Sequence, residues 1–170
     1  AYWDYFSNLA GSGQPASRLN SKFGVMFSLN GVLYGDDAGY YIMSVGTLGT
    51  DGLLDGRGVA VKVASGGITL QIYDTSLETI TLSSYNYSGG VIKIGFIWDG
   101  VDTLSVYGAK GLGNTYEIPQ VSLLGSLTYS TTVSNNYASE RGLRFTHMVN
   151  SGAISSRTIR IREVKSIYSF

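Results

Sequence analysis

Val59, Val61 and Val63 alternate with Ala60 and Lys62, a Gly66-Gly67 pair intervenes, and Ile68, Leu70 and Ile72 then alternate with Thr69, Gln71 and Tyr73. A period of two puts every second side chain on one face of an extended chain, and glycine tolerates the positive φ that a tight reversal needs. The stretch predicts a β-hairpin. A second is expected around Asn30-Gly31, where both residues accept positive φ, between Phe23-Val25-Phe27-Leu29 and Val32-Leu33-Tyr34. Further strand signals run over 39–45, 78–82, 91–99, 103–107, 121–129, 142–148 and 158–168. At least nine short strands broken by Gly, Asn and Asp predict an all-β fold, a two-sheet antiparallel sandwich or jelly roll.

Composition agrees with this pattern. The 23 Gly against 2 Pro, with 13 Tyr and abundant Ser, Thr, Val and Ile, favour strands and tight turns over helices. At 170 residues one core suffices, and without cysteine it is held by packing and strand pairing alone. The 12 basic and 12 acidic residues cancel and form no cationic run, so no nucleic-acid partner is expected. No apolar stretch reaches the ~20 residues that cross a bilayer, and neither a signal peptide nor membrane insertion is expected. The first residue is Ala1, which suggests a piece of something longer. Residues 1–15, with the flexible Gly11-Ser12-Gly13-Gln14-Pro15, are assigned as an N-terminal segment or linker, and 16–170 as the sandwich.

Three stretches go beyond generic alternation. Val91-Ile92-Lys93-Ile94-Gly95-Phe96-Ile97-Trp98-Asp99-Gly100 followed by Thr103-Leu104-Ser105-Val106-Tyr107-Gly108 resembles the central hairpin of concanavalin A-like and laminin G-like jelly rolls. Arg160-Ile161-Arg162-Glu163-Val164-Lys165-Ser166-Ile167-Tyr168 is similar to the closing strand of that family, and Gly39-Tyr40-Tyr41-Ile42-Met43-Ser44-Val45-Gly46 to an early one. The resemblance covers roughly half the chain by pattern and implies a concanavalin A-like jelly roll.

The family's glycoside hydrolases share an acidic cluster close to Glu-x-Asp-x-x-Glu on one strand face, and this chain lacks it. Glu78, Glu117, Glu140 and Glu163 stand apart and read as solvated residues. His147 is the only histidine, so a Ser-His-Asp triad or a histidine metal site has little to draw on. Neither phosphate-cradling glycine motifs nor Gly-x-Ser-x-Gly occurs. The chain is therefore read as a binding module and not an enzyme.

Sugar recognition by sandwiches uses aromatic faces against apolar sugar edges, with Asn, Asp or backbone groups against hydroxyls. Three segments carry that mixture: Tyr34, Asp36, Asp37 and Tyr40; Tyr85, Asn86 and Tyr87; and Asn135, Asn136 and Tyr137. These are the candidate ligand-binding residues. The competing reading is that tyrosines rim sheets while Asn and Gly make turns. Asp36 and Asp37 are also the candidate ligands for a Ca²⁺ ion of the kind the resembled family places near its binding rim. Asp51 with Asp55 and Asp99 with Asp102 read first as turns, since Asp51, Asp55 and Asp99 each precede a glycine. Trp98 shares a strand face with Ile92, Ile94 and Phe96 and is expected in the core. Trp3, within Tyr2-Trp3-Asp4-Tyr5-Phe6, is expected to cover a sheet edge, join an interface or meet ligand. Asn86-Tyr87-Ser88 is a formal glycosylation acceptor.

A charge-poor, cysteine-free domain rich in Gly, Ser, Thr, Tyr and Asn resembles the receptor-binding domains of bacteriophage tail fibres and spikes. That likeness implies a virion or extracellular cell-surface location, a homo-oligomer (a trimer), and a host cell-surface polysaccharide or glycoprotein as partner. The alternatives are a bacterial adhesin or carbohydrate-binding module, and a structural oligomerisation domain with no small ligand.

Overall fold

A computed structural model describes residues 2–4, 19, 22–30, 40–64, 67–84, 91–110, 121–133, 144–148 and 160–168. The strands among them are β1 (Tyr2–Asp4), β2 (Phe23–Asn30), β3 (Tyr40–Val45), β4 (Gly58–Ala64), β5 (Gly67–Tyr73), β6 (Leu77–Leu82), β7 (Val91–Trp98), β8 (Thr103–Lys110), β9 (Ser122–Thr128), β10 (Arg144–Met148) and β11 (Arg160–Tyr168). No helix occurs among the described residues. A six-stranded sheet runs β1-β10-β3-β4-β5-β6 and a five-stranded sheet β11-β2-β7-β8-β9, with every pairing antiparallel. This is the two-sheet antiparallel sandwich expected from the alternation. The late strands return to lie beside early ones, β10 against β3 and β11 against β2, which gives the jelly-roll course.

The 59–72 alternation forms the expected hairpin, with Val61 opposite Leu70 and Gly67 at φ 125°. Both edges of β2 are taken, one by β7 and the other by β11. The turn and second strand of the hairpin expected around Asn30-Gly31, residues 31–34, lie outside the described residues. Tyr2–Asp4 pairs with β10 in the six-stranded sheet.

Strand parity fills the space between the sheets. Met43, Val45, Val59, Val61, Val63, Ile68, Leu70 and Ile72 from one layer meet Phe23, Val25, Ile94, Phe96, Trp98, Leu104 and Val106 from the other. Phe23 and Phe96 meet edge to face, their centroids 6.1 Å apart. Trp98 is fully buried, and its indole N–H donates to the Leu19 carbonyl at 2.6 Å. The core position expected for Trp98 is thus observed.

The outer face of the six-stranded sheet is partly roofed by the β3–β4 connection, residues 46–57. Ile42 and Ala60 form a second buried cluster with Leu54, against which Leu48 and Tyr73 pack. Gln71, on the polar side of its strand by parity, is buried beneath this strap. It accepts from the Leu54 N–H at 2.8 Å and donates to the Gly52 carbonyl at 3.1 Å, so its burial leaves both hydrogen-bonding ends satisfied. Lys62 Nζ donates to the Asp51 carbonyl at 3.3 Å. Burial holds that ammonium below the ordinary lysine range, with the Asp51 carboxylate opposing the shift.

Tyr129, just past β9, ties the two sheets together at one end. Its phenol oxygen accepts from the Thr75 and Ser76 N–H groups at 3.3 and 3.2 Å and donates to the Ser76 carbonyl at 3.0 Å. Burial alone would raise this phenol's pKa, but the hydrogen bonds from Ser76 and Thr75 outweigh it and leave the pKa below the usual tyrosine value. Glu78, expected to be merely solvated, accepts from the Ser130 N–H at 3.2 Å and from its hydroxyl. The end carrying 74–76, 99–102 and 129–133 is called the turn end below.

Candidate functional site

Of the ligand residues expected from sequence, Tyr34, Asp36, Asp37, Tyr85, Asn86, Tyr87, Asn135, Asn136 and Tyr137 lie outside the described residues, and for Tyr40 only the backbone is described, opening β3. The flanking strand ends are informative. Asn30 and Tyr40 bracket 31–39, Leu82 and Val91 bracket 83–90, and all four lie at the end opposite the turn end. Val133 and Arg144 bracket 134–143, and both lie at the turn end. The sandwich therefore anchors two of the three tyrosine-bearing segments at one end and the third at the other.

Among the described residues, the outer face of the five-stranded sheet assembles another constellation. β8 and β9 place Thr103 opposite Thr128, Ser105 opposite Ser126, and Tyr107 opposite Leu123. The Thr103 and Thr128 hydroxyls are 3.1 Å apart and those of Ser105 and Ser126 2.8 Å, two hydrogen-bonded rungs on an exposed surface. The Ser105–Ser126 rung uses one of its two O–H donors internally and leaves one donor facing outward; in the other rung Thr103 donates to Asp102 and Thr128 donates to Thr103, so that rung offers lone pairs alone. Thr103 Oγ1 also lies 2.7 Å from Asp102 Oδ1, setting a carboxylate at the turn end of the ladder.

At the ladder's other end the row continues Tyr107, Gly95, Met26 across β8, β7 and β2. Gly95 is needed there: a Cβ on it would fall 2.1 Å from the Val25 carbonyl oxygen, backbone that cannot give way. The row therefore has a half-buried tyrosine beside a position without a side chain. The arrangement can exchange hydrogen bonds with hydroxyls and offer an aromatic ring to an apolar ligand face.

Sequence reading missed this ladder, although its half-signal is visible. Thr103, Ser105 and Tyr107 share one strand parity, as do Ser126 and Thr128, but nothing local says that these two runs are neighbours.

The remaining aspartates expected in turns are found there. Asp99 Oδ1 accepts the N–H groups of Val101, Asp102 and Thr103 at 2.8, 3.0 and 3.0 Å, with Gly100 at φ 87°. Asp51 Oδ1 accepts from the Leu53 N–H at 3.0 Å, with Gly52 at φ 75°. Among the described residues, no three His, Cys, Asp or Glu side chains converge as a metal site would require. Asp99→Ala should cost about 0.5–2 kcal/mol, the range for removing a side-chain cap from backbone N–H groups. Urea unfolding checks this, with Asp55→Ala as a reference within about 0.5 kcal/mol of the parent.

No protein-family profile matches the sequence, and no curated protein matches it. Similar folds do occur among solved structures. The binding domain of botulinum neurotoxin serotype D/C aligns with a TM-score of 0.54 at 12% identity, over 88% of this chain and 33% of that one. The serotype C1 binding domain aligns at 0.53 and 12%, over 88% and 34%. The serotype D binding domain aligns at 0.50 and 11%, over 87% and 34%. This chain spans about a third of the length of these domains, and at such identity the likeness is one of fold.

Proposed function

We propose that this domain is a non-catalytic glycan-binding module of a surface attachment protein, a phage or viral receptor-binding domain by the likeness of its composition. The observation that carries the reading is the exposed hydroxyl ladder of Thr103, Thr128, Ser105 and Ser126, flanked by Asp102 and Tyr107. Paired hydroxyls and a carboxylate exchange hydrogen bonds with sugar hydroxyls, while a tyrosine ring receives the apolar edge of a pyranose. The fold adds support, since the solved domains similar to it are themselves described as binding domains. The partner would be a host cell-surface polysaccharide or glycoprotein. The segments holding Tyr34 and Tyr40 and Tyr85 and Tyr87, anchored at one end, belong to the same proposal as a second contact surface, with Ca²⁺ on Asp36 and Asp37, and the segment holding Tyr137 as a separate one anchored at the turn end.

The test is a screen of the domain on arrayed bacterial surface polysaccharides and other glycans, with and without chelator. Tyr107→Ala should weaken binding several-fold to about tenfold, in line with the aromatic contribution of about 0.5–1.5 kcal/mol. Loss on Tyr85→Ala, Tyr87→Ala or Tyr137→Ala with Tyr107→Ala unaffected would move the site to the tyrosine segments. Chelator sensitivity would bring in the metal. Silence across the array would remove glycan recognition, and polysaccharide cleavage by the domain would overturn the non-catalytic reading.

A further inference from the structure

The hydroxyl ladder on β8 and β9 has a direction. At its turn end every hydroxyl proton is already committed: Thr103 donates to Asp102 Oδ1 at 2.7 Å, and Thr128, 3.1 Å from Thr103, donates to it because Thr103 has no second proton. Asp102, Thr103 and Thr128 therefore turn a carboxylate and hydroxyl lone pairs outward, with no side-chain donor among them. One step along, the Ser105–Ser126 rung keeps one O–H for a ligand. Tyr107 comes next, in register with the exposed Leu123.

Asp102 is fixed in place by its backbone. Its N–H donates to Asp99 Oδ1 at 3.0 Å, its carbonyl accepts from the Tyr129 N–H at 2.8 Å, and the residue is half-buried. Among the described residues no Lys or Arg pairs with its carboxylate; Arg57, at the same end, is taken by Asp74 at 2.8 Å. Lys93, on the same sheet face by strand parity, stands opposite Ala109, beyond Tyr107. The turn end of the ladder is thus negative and acceptor-only, and the middle and far end are neutral.

We propose that the ladder selects an oligosaccharide carrying an unacetylated amino sugar, its ammonium at the Asp102–Thr128 end and a neighbouring pyranose against Tyr107. An ammonium brings three donors and no acceptor, which complements an acceptor-only set, and its charge is matched by the Asp102 carboxylate. A sugar carboxylate or sulfate at that position would meet lone pairs and like charge. More than one sugar is required, because Thr103 and Tyr107 lie about 14 Å apart along one strand, at ~3.4 Å per residue, which exceeds a single pyranose ring. This selectivity rests on the ladder being a glycan site and names the class of glycan it takes.

Calorimetric titration with oligomers of glucosamine and of galactosamine, each as the free amine and as its N-acetylated counterpart, isolates the ammonium. In a mildly acidic, low-salt buffer that keeps the amine charged, the free-amine form of at least one series should bind about three- to tenfold tighter than its acetylated counterpart, and added salt should shrink the preference. Oligogalacturonate, which carries carboxylates instead, should bind more weakly than the acetylated form. Asp102→Asn keeps an acceptor for the Thr103 hydroxyl and removes the charge, so it should bring the two affinities together. Asp55→Asn, exposed on the strap, should keep the preference. Tyr107→Ala should weaken both forms by the same factor, since the ring carries no charge. Equal affinities in the parent, a preference that survives Asp102→Asn, or binding of other glycans with neither series bound would overturn the selectivity and leave the glycan site standing. Absence of binding to any glycan would remove both. If Asp102→Asn fails to fold, the parent's preference and its salt dependence decide.

Discussion

Trp98→Ala should destabilise the domain by about 3–5 kcal/mol, the range for truncating a large buried aromatic. Trp98 sits at the end of β7 with no exposed surface, amid the core that both sheets share. Truncation leaves a cavity that neighbours in two layers cannot jointly collapse into, because hydrogen bonds to flanking strands hold their backbones. It also strands the Leu19 carbonyl, which receives the indole N–H at 2.6 Å. Trp98→Phe separates the two effects: it restores most of the ring volume but no donor, so it should recover part of the loss. Chemical unfolding monitored by circular dichroism reads both. A cost for Trp98→Ala below about 1 kcal/mol would mean that the side chain is not in the shared core.

Tyr129→Phe should cost about 1–3 kcal/mol although it removes a single oxygen. The phenol takes the Thr75 and Ser76 N–H groups and returns a donor to the Ser76 carbonyl, so one atom organises the β5–β6 turn from the opposite sheet. Deleting it leaves several backbone groups to find water at a junction where the ring itself remains buried. The effect should appear as a lower urea midpoint with an unchanged slope. Tyr107→Phe is the matched comparison. Its side chain is half-buried on the open face, and a change within about 0.5 kcal/mol is expected. Equal costs for the two substitutions would contradict the role assigned to Tyr129.

These two residues show how differently the sequence speaks about its parts. Trp98 could be placed in the core from strand parity with Ile94 and Phe96, because alternation alone says which side chains share a face. Tyr129 gave no comparable signal, since its partners are more than fifty residues earlier and are backbone groups of a turn. The hydroxyl ladder falls between the two. Its two halves were visible as alternating runs, but the pairing of Ser105 with Ser126 joins residues 21 apart across a connection whose length fixes no register.

The sequence by itself determined the all-β class, the hairpin of β4 and β5, the apolar faces of its strands and the turn roles of Asp51 and Asp99, because each follows from period and local backbone chemistry. Only the tertiary structure decided the partners of β2, the burial of Gln71 beneath the 46–57 strap, the face on which hydroxyls converge and, among the described residues, the edge position of β6. The physical reason is common to all four. A strand satisfies its hydrogen bonds equally well with any neighbour of matching length, so the choice of neighbour comes from the packing of two whole sheets, which no local window contains.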